Sequence, residues 1–302
     1  MTARPDDSWT AFSSPAKINL FLHITGRRPD GYHNLQTLFQ VLDYGDTLYF
    51  RRNDRSDFRL LTPFDGVPPE QNLIIRAANK LEEHLGYRPF GVDIQINKRL
   101  PMGGGLGGGS SNAATTLHAL NQIWNSDLDT LTLARIGLNL GADVPVFVHG
   151  YTAWGEGVGE DLTRLARSPN SGDAWFLVIK PNCEVSTASV FSHKRLTRDT
   201  PIRKIAPAVE RLDTSYKNDC EAIVSELYEA VKLALTWLNQ YSEAKLTGTG
   251  SCVFAQFASR TEAEQVLEKL PDQWTGFVAK GVDTSPLLSE VTLFKLNNRQ
   301  HT

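Results

Sequence analysis

Six glycines fall between Pro101 and Ser110, in Pro101-Met102-Gly103-Gly104-Gly105-Leu106-Gly107-Gly108-Gly109-Ser110, with Ser111 next in the chain. Glycine is needed where a backbone must take positive φ or approach a ligand without a Cβ in the way. Successive N–H groups in such a loop converge on an anion, and a helix opening behind it adds the positive end of its dipole. The chemistry expected of Pro101–Ser111 is therefore polyphosphate binding, with the hydroxyls of Ser110 and Ser111 as supplementary donors. A flexible linker is the plainer alternative. Linkers seldom join an alternating strand to a well-patterned helix, however, and ordering six glycines costs conformational entropy. Two familiar phosphate loops do not fit. No lysine stands between Gly109 and Ser110, as Gly-Lys-Ser would require. Nor does an acidic residue at a second strand end follow Gly103–Leu106 by about twenty positions, where a dinucleotide ribose would need it.

Three other segments carry chemistry-bearing residues. In Ser14-Pro15-Ala16-Lys17-Ile18-Asn19-Leu20, alternation puts Lys17 and Asn19 on one face of a strand. Taken alone, the pair reads as solvent-facing. Gly141-Ala142-Asp143-Val144-Pro145 offers a carboxylate that reads locally as a helix cap. Leu246-Thr247-Gly248-Thr249-Gly250-Ser251-Cys252 is a tight glycine turn feeding a strand. None of the three is distinctive by itself; the combination of a cation, a carboxylate and two glycine segments is.

Elements must position these groups. Apolar alternation predicts strands at Ala16–Ile24, Thr47–Arg52 and Val92–Ile96. Helical spacing of Leu73, Ala77 and Leu81 predicts a helix from Asn72 to His84. A second helix follows the glycine loop, capped by Ser110, Ser111 or Asn112, with Ala113, Leu117, Leu120 and Trp124 as its stripe. A third spans Leu131–Leu140 and is closed by Gly141. A Ser/Pro/Asn/Gly cluster at Ser168–Gly172 suggests a change of domain, giving units 1–168 and 169–302. The second unit alternates a strand at Ala174–Ile179, a helix at Cys220–Asn239, a strand at Cys252–Phe257, a helix at Glu262–Leu270 and a strand at Gly276–Lys280. That order predicts a two-layer α+β domain.

The chain has 302 residues, 41% hydrophobic and 22% charged, with a formal net charge of −3. Such a chain is globular and lacks the basic field a general nucleic-acid grip needs. Cys183, Cys220 and Cys252 are widely spaced and odd in number, which offers no disulfide framework or zinc spacing and suits a reducing compartment. The opening MTARPDDSWT has no signal-peptide core, and no apolar run approaches the ~18 residues of a membrane span. The expected location is the cytoplasm.

Pro15-Ala16-Lys17-Ile18-Asn19-Leu20, the loop Pro101–Ala114 and Thr247-Gly248-Thr249-Gly250-Ser251 occur in the order of the three signature motifs of the GHMP kinases, and the chain resembles that family. The resemblance implies a two-domain α+β architecture, with a ribosomal-protein-S5-like N-terminal domain and a ferredoxin-like C-terminal domain. It implies ATP as phosphoryl donor and a small-molecule alcohol as acceptor. Arg28-Pro29-Asp30-Gly31-Tyr32-His33 further resembles the members whose acceptor is a methylerythritol carrying cytidine diphosphate, in the non-mevalonate route to isoprenoid precursors. A homoserine or mevalonate type of acceptor is the alternative. By the same resemblance Lys17 and Asp143 are the catalytic pair. Asp143 would polarise or deprotonate the tertiary hydroxyl, and Lys17 would pair its charge and lean on the transferring phosphoryl group. Pro101–Ser111 would bind ATP, while Asn19, Tyr32, His33, Thr187 and Phe191 would contact the acceptor, with a cytosine ring between Tyr32 and Phe191. Phe191 has a plainer reading as a core residue. Some relatives take a Mg²⁺ ligand from an acidic residue after the loop, but Ser110–Asn121 contains none. No protein metal site is therefore expected, and Mg²⁺ would be held mainly through phosphates. No nucleic-acid or membrane partner is expected, and the sequence leaves the oligomeric state open between a monomer and a weak homodimer.

Overall fold

The computed structural model describes residue 6 and residues 8–64, 66–165, 174–205 and 216–299. The chain opens with two long antiparallel strands, β1 (Thr10–Arg27) and β2 (His33–Asn53), joined by a turn closed by Gly31 N–H to Arg28 O and Arg28 N–H to Tyr32 O. Next come β3 (Phe58–Leu60), α1 (Leu73–Leu85), β4 (Gly91–Asn97), α2 (Gly108–Ile123), α3 (Thr130–Leu138) and α4 (Val144–His149). The hairpin β5 (Ala153–Glu156) and β6 (Asp161–Arg164) completes this half. Further on lie β7 (Trp175–Lys180), α5 (Thr187–Ser192), α6 (Glu221–Leu227), α7 (Glu229–Leu238), β8 (Ala244–Leu246), β9 (Val253–Phe257), α8 (Arg260–Leu267), β10 (Thr275–Val282) and α9 (Pro286–Arg299).

One sheet path, β3-β4-β2-β10-β7-β9-β8, runs through both halves, with β1 and β5 also paired to β2. The junction is short: Gly281 faces Leu42 and Val282 faces Val41. The order β10-β7-β9-β8 over a strand–helix–strand–strand–helix–strand chain is the ferredoxin-like arrangement. Its antiparallel strands are covered by α6, α7 and α8 around Leu177, Val224, Leu238 and Val253. In the first half α2 is buried on every side rather than along one stripe, with Ser111 through Asn121 all removed from solvent. It packs on β1, α1, α4 and α9. Leu117 and Leu120 at its centre are fully buried, each contributing about 1.5–3 kcal/mol. Such a helix makes a rigid platform for the loop that precedes it.

Several sequence expectations change. The boundary expected at Ser168–Gly172 lies outside the described residues. Helix α9, which the sequence reading did not identify and whose residues fall in the unit 169–302, packs on the first core through Leu287, Val291 and Phe294, and its Glu290 accepts from Ser13 N–H and Oγ at 2.6 Å each. The single helix expected at Cys220–Asn239 breaks at Tyr228, whose φ of −130° and ψ of 91° are extended. Among the described residues no helix is long and apolar enough to cross a membrane.

Candidate active site

The glycine loop leaves β4 through Lys98-Arg99-Leu100, and this exit is fixed by a buried carboxylate. Asp46 Oδ1 accepts the N–H groups of Arg99 and Leu100 at 2.8 Å each. Its Oδ2 accepts Lys98 Nζ at 2.8 Å and Asn112 Nδ2 at 3.0 Å. One side chain of β2 therefore ties the start of the loop to α2. Gly105 and Gly107 have φ of 75° and 70°, a region that costs an L-residue about 1–2 kcal/mol. A Cβ on Gly105 would meet Thr247 O at 2.3 Å, and one on Gly107 the Phe147 ring at 2.6 Å.

Helix α2 begins at Gly108, with Gly107 as a cap that has no side chain. The cap expected from Ser110, Ser111 or Asn112 therefore does not form: these residues lie inside the helix. Ser111 N–H is the first to bond back, to Gly107 O at 2.8 Å. The N–H groups ahead of it, Gly107 to Ser110, have no intrahelical acceptor. They form a helix start whose amides point out of the helix, the geometry to which anions bind in general. Ser111 departs from expectation. It is fully buried, its N–H is used by the helix, and its Oγ accepts from Ser14 Oγ at 2.9 Å.

Lys17 and Asn19 are not solvent-facing. They are 3% and 2% exposed, because register shifts on either side of them in β1 turn that stretch inward. Lys17 N–H donates to Leu106 O at 3.1 Å, so the strand is bonded to the loop itself. Lys17 Nζ donates to Asn19 Oδ1 at 2.7 Å and lies 3.4 Å from Asp143 Oδ2. Asp143 does precede α4, as a capping residue would, but its carboxylate makes no capping bond. Its side chain stays 37% exposed beside the buried ammonium. Asn19 also donates through Nδ2 to Thr37 Oγ1 at 2.8 Å. Both ends of its amide are engaged within the protein, which makes it a holder of Lys17 as much as a contact for ligand.

The second glycine turn joins β8 to β9 and is stitched to the first. Ser251 N–H donates to Gly103 O at 3.3 Å, Cys252 N–H to Gly104 O at 3.1 Å, and Thr247 Oγ1 to Gly105 O at 3.3 Å. Asn218 holds the turn from behind, donating to Leu246 O at 2.9 Å and Gly248 O at 2.8 Å. Two cavities share Gly103, Gly105, Gly107 and Ser110 as a wall. The larger, about 600 Å³, also takes in Lys17, Asn19, Asp143, Tyr32, His33, Thr187 and Phe191. The smaller, about 350 Å³, runs from Pro101 and Met102 to Lys98, Asn72 and Phe64. The first volume suits a nucleotide-sized ligand.

Within the larger cavity Tyr32 is 65% exposed, whereas His33 is only 8% exposed. His33 stacks on Phe191 with centroids 5.1 Å apart. Phe191 also packs against the ferredoxin-like core, so its two readings coexist. Thr187, the first residue of α5, shares a 2.9 Å hydrogen bond with Thr249 of the glycine turn. Burial, then the positive charges of Arg198 and Arg27, push the His33 imidazole below its ordinary value. The structure thus gathers every residue expected at the site except the Ser111 side chain. Sequence reading missed Asp46, Thr37, Asn218 and Arg198. They are isolated polar residues whose value comes only from tertiary contacts. Thr247 and Thr249 sat within a quoted motif and could have been found there.

Two family descriptions match the chain: the GHMP kinases N terminal domain over residues 72–151 and the GHMP kinases C terminal domain over residues 203–276. The chain is 54% identical over 286 residues to the 4-diphosphocytidyl-2-C-methyl-D-erythritol kinase of Hahella chejuensis, spanning 92% of this chain and 95% of the relative. It is 55% identical over 283 residues to the enzyme of the same name from Marinobacter nauticus, spanning 93% and 97%. A crystal structure of 4-(cytidine 5'-diphospho)-2C-methyl-D-erythritol kinase matches with a TM-score of 0.78 and 30% identity, over 90% of this chain and 100% of that one. The mevalonate kinase of Methanococcus jannaschii shares the fold at 16% identity and a TM-score of 0.68, over 92% of this chain and 100% of that one.

Proposed function

The chain belongs to the GHMP kinase family, and from that premise we propose that it transfers the γ-phosphoryl group of ATP to the tertiary 2-hydroxyl of 4-diphosphocytidyl-2-C-methyl-D-erythritol. The observation that carries the reading is the 3.4 Å approach of Lys17 Nζ to Asp143 Oδ2 beside a glycine loop with unpaired amides. Phosphoryl transfer asks a protein mainly for positioning and charge stabilisation, because its transition state is loose.

Amides from Gly103 to Ser110 receive the β- and γ-phosphates, and the smaller cavity takes the rest of the nucleotide. The acceptor hydroxyl lies against Asp143. As the oxygen–phosphorus bond forms and the bond from γ-phosphorus to the bridging oxygen breaks, Asp143 takes the hydroxyl proton and ADP departs. Lys17 offsets charge on the equatorial oxygens. Its grip by Asn19 keeps the ammonium in place while Asp143 changes protonation. The hydroxyl of Ser110 and the carboxylate of Asp143 are hard oxygen donors that suit Mg²⁺. The ion would reach the site on ATP, with phosphate oxygens and water as its main ligands and Ser110 as the side chain able to join. When bound it supplies neutralising charge for the phosphates.

An ADP-release assay with the cytidylated acceptor, homoserine and mevalonate tests the reading. Turnover with the first alone is expected; equal or faster turnover with either of the others would overturn it. The exposed ring of Tyr32 and the stacked ring of Phe191 support an aromatic platform for a pyrimidine. Tyr32→Ala and Phe191→Ala should each raise KM for the cytidylated acceptor by about 10-fold, since base–aromatic stacking contributes ~1–3 kcal/mol. KM for ATP should stay within about twofold on the same principle, because neither ring lines the smaller cavity assigned to ATP. Steady-state kinetics with each substrate varied in turn checks both expectations.

A further inference from the structure

We infer that Arg198 is a positioning residue for base recognition: it fixes His33 as the tautomer protonated on Nδ1, and so sets which pyrimidine the site accepts. This rests on the proposed acceptor. Arg198 Nε donates to His33 Nε2 at 3.1 Å. A guanidinium has donors only, so Nε2 must present its lone pair and the ring proton must sit on Nδ1. Three of its four other N–H donors go to backbone carbonyls: Leu196 O at 3.0 Å, Phe191 O at 2.8 Å and His193 O at 2.9 Å. The guanidinium therefore also fixes the backbone of the residue on which His33 stacks.

The segment carrying Arg198 is itself pinned. Thr200 N–H donates to Ile24 O at 3.1 Å and Thr200 Oγ1 to Asp219 Oδ2 at 2.6 Å. Arg203 N–H donates to Gln36 Oε1 at 2.8 Å. The segment is thereby bonded to β1, to β2 and to Asp219, and the guanidinium cannot swing away without losing its own bonds to His33, Phe191, His193 and Leu196. The charges bearing on the imidazole, Arg198 and Arg27, are both positive and oppose a second ring proton.

The consequence is chemical. O2 accepts in cytosine and uracil alike, so only N3 discriminates: a ring locked as an Nδ1 donor can pair with the lone pair on N3 of cytosine. It is mismatched to the N3–H of uracil. Freed of Arg198, His33 could present either nitrogen as donor or acceptor, and discrimination would fall. A site built around a fixed donor rejects the wrong partner strongly, because mispairing leaves buried polar groups unpaired.

Long-range proton–nitrogen NMR of the full-length enzyme with ¹⁵N-labelled histidine, His33 being assigned by its loss in His33→Gln, reads the tautomer directly. Protonated Nδ1 and bare Nε2 are expected; a proton on Nε2 would overturn the inference whether or not any variant folds. In kinetics, Arg198→Leu should lower the preference for the cytidylated over the uridylated acceptor by at least about 10-fold. The change should come through acceptor KM with KM for ATP unmoved. Arg198→Lys, still donor-only, should retain most of the preference. The leucine variant should also move any pH dependence of acceptor KM that His33 causes to higher pH, because burial still lowers the imidazole but one of the two positive charges opposing its protonation is gone. A well-folded Arg198→Leu with undiminished preference would refute the inference. If instead the wild type phosphorylates neither acceptor, the proposed substrate fails, while the NMR result still decides the tautomer.

Discussion

Replacing Asp143 by asparagine is expected to lower kcat by ~10²–10⁴ while ATP affinity changes by no more than a few-fold. The substitution keeps size and shape and removes only the proton acceptor. The geometry makes it an unusually clean change, because Lys17 has a second anchor. Its ammonium also donates to Asn19 Oδ1 at 2.7 Å, so the cation stays in place when the carboxylate is neutralised. Lys17→Ala, in contrast, removes the charge and takes from Asn19 Oδ1 its 2.7 Å donor, and should cost at least as much. Rapid-quench measurement of the chemical step, with nucleotide titration alongside, separates the two effects. An Asp143→Asn enzyme with wild-type turnover would remove Asp143 from the catalytic role.

The second large effect is expected at Gly107. Valine there must adopt a φ of 70° and seat its Cβ 2.6 Å from the Phe147 ring and 3.2 Å from Lys17 Cε. None of these can yield cheaply: Phe147 is buried in the core, and Lys17 is held at both ends. The helix start should shift and its amides should lose their common focus. ATP affinity is expected to fall by ~10²-fold or more, consistent with loss of several amide–phosphate bonds at up to ~3 kcal/mol each. Gly103→Ala is the control. Its φ is 64° but an added Cβ meets nothing within 4 Å, so only the backbone strain of about 1–2 kcal/mol applies. Calorimetric titration with ATP compares them, and a Gly107→Val protein that binds ATP normally would dismiss the loop as the phosphate site.

The strands and helices that carry the site were readable because their apolar periods are regular. Val92, Ile94 and Ile96 alternate into the core, and Asn72 caps α1 through a 3.0 Å bond to Ile74 N–H. The glycine loop was readable as an ordered turn rather than a linker because a strand precedes it and a patterned helix follows it. What local pattern could not show was the inward turn of Lys17. Alternation describes a regular strand, and the register shifts around Lys17 and Asn19 arise from β1 bonding to the loop rather than to β2 alone. The break at Tyr228 was hidden for a similar reason: apolar spacing persists across it, and only the backbone angles reveal the interruption. Helix α9 was missed altogether. Its apolar residues meet a core built from residues nearly three hundred positions earlier, such as Phe12, whose ring lies 5.6 Å from that of Phe294.

The stitching of Gly103, Gly104 and Gly105 to Thr247, Ser251 and Cys252 has a thermodynamic corollary. On the proposed assignment of donor and acceptor, the first glycine wall and the second glycine turn form one bonded unit, so the ligand that arrives first should order part of what the other needs. Each substrate should therefore sharpen the enzyme's affinity for its partner, and the two enhancement factors must be equal by reciprocity. A kinase wired this way favours the ternary complex over either binary one, which limits the time ATP spends in the cleft without an alcohol to receive its phosphate.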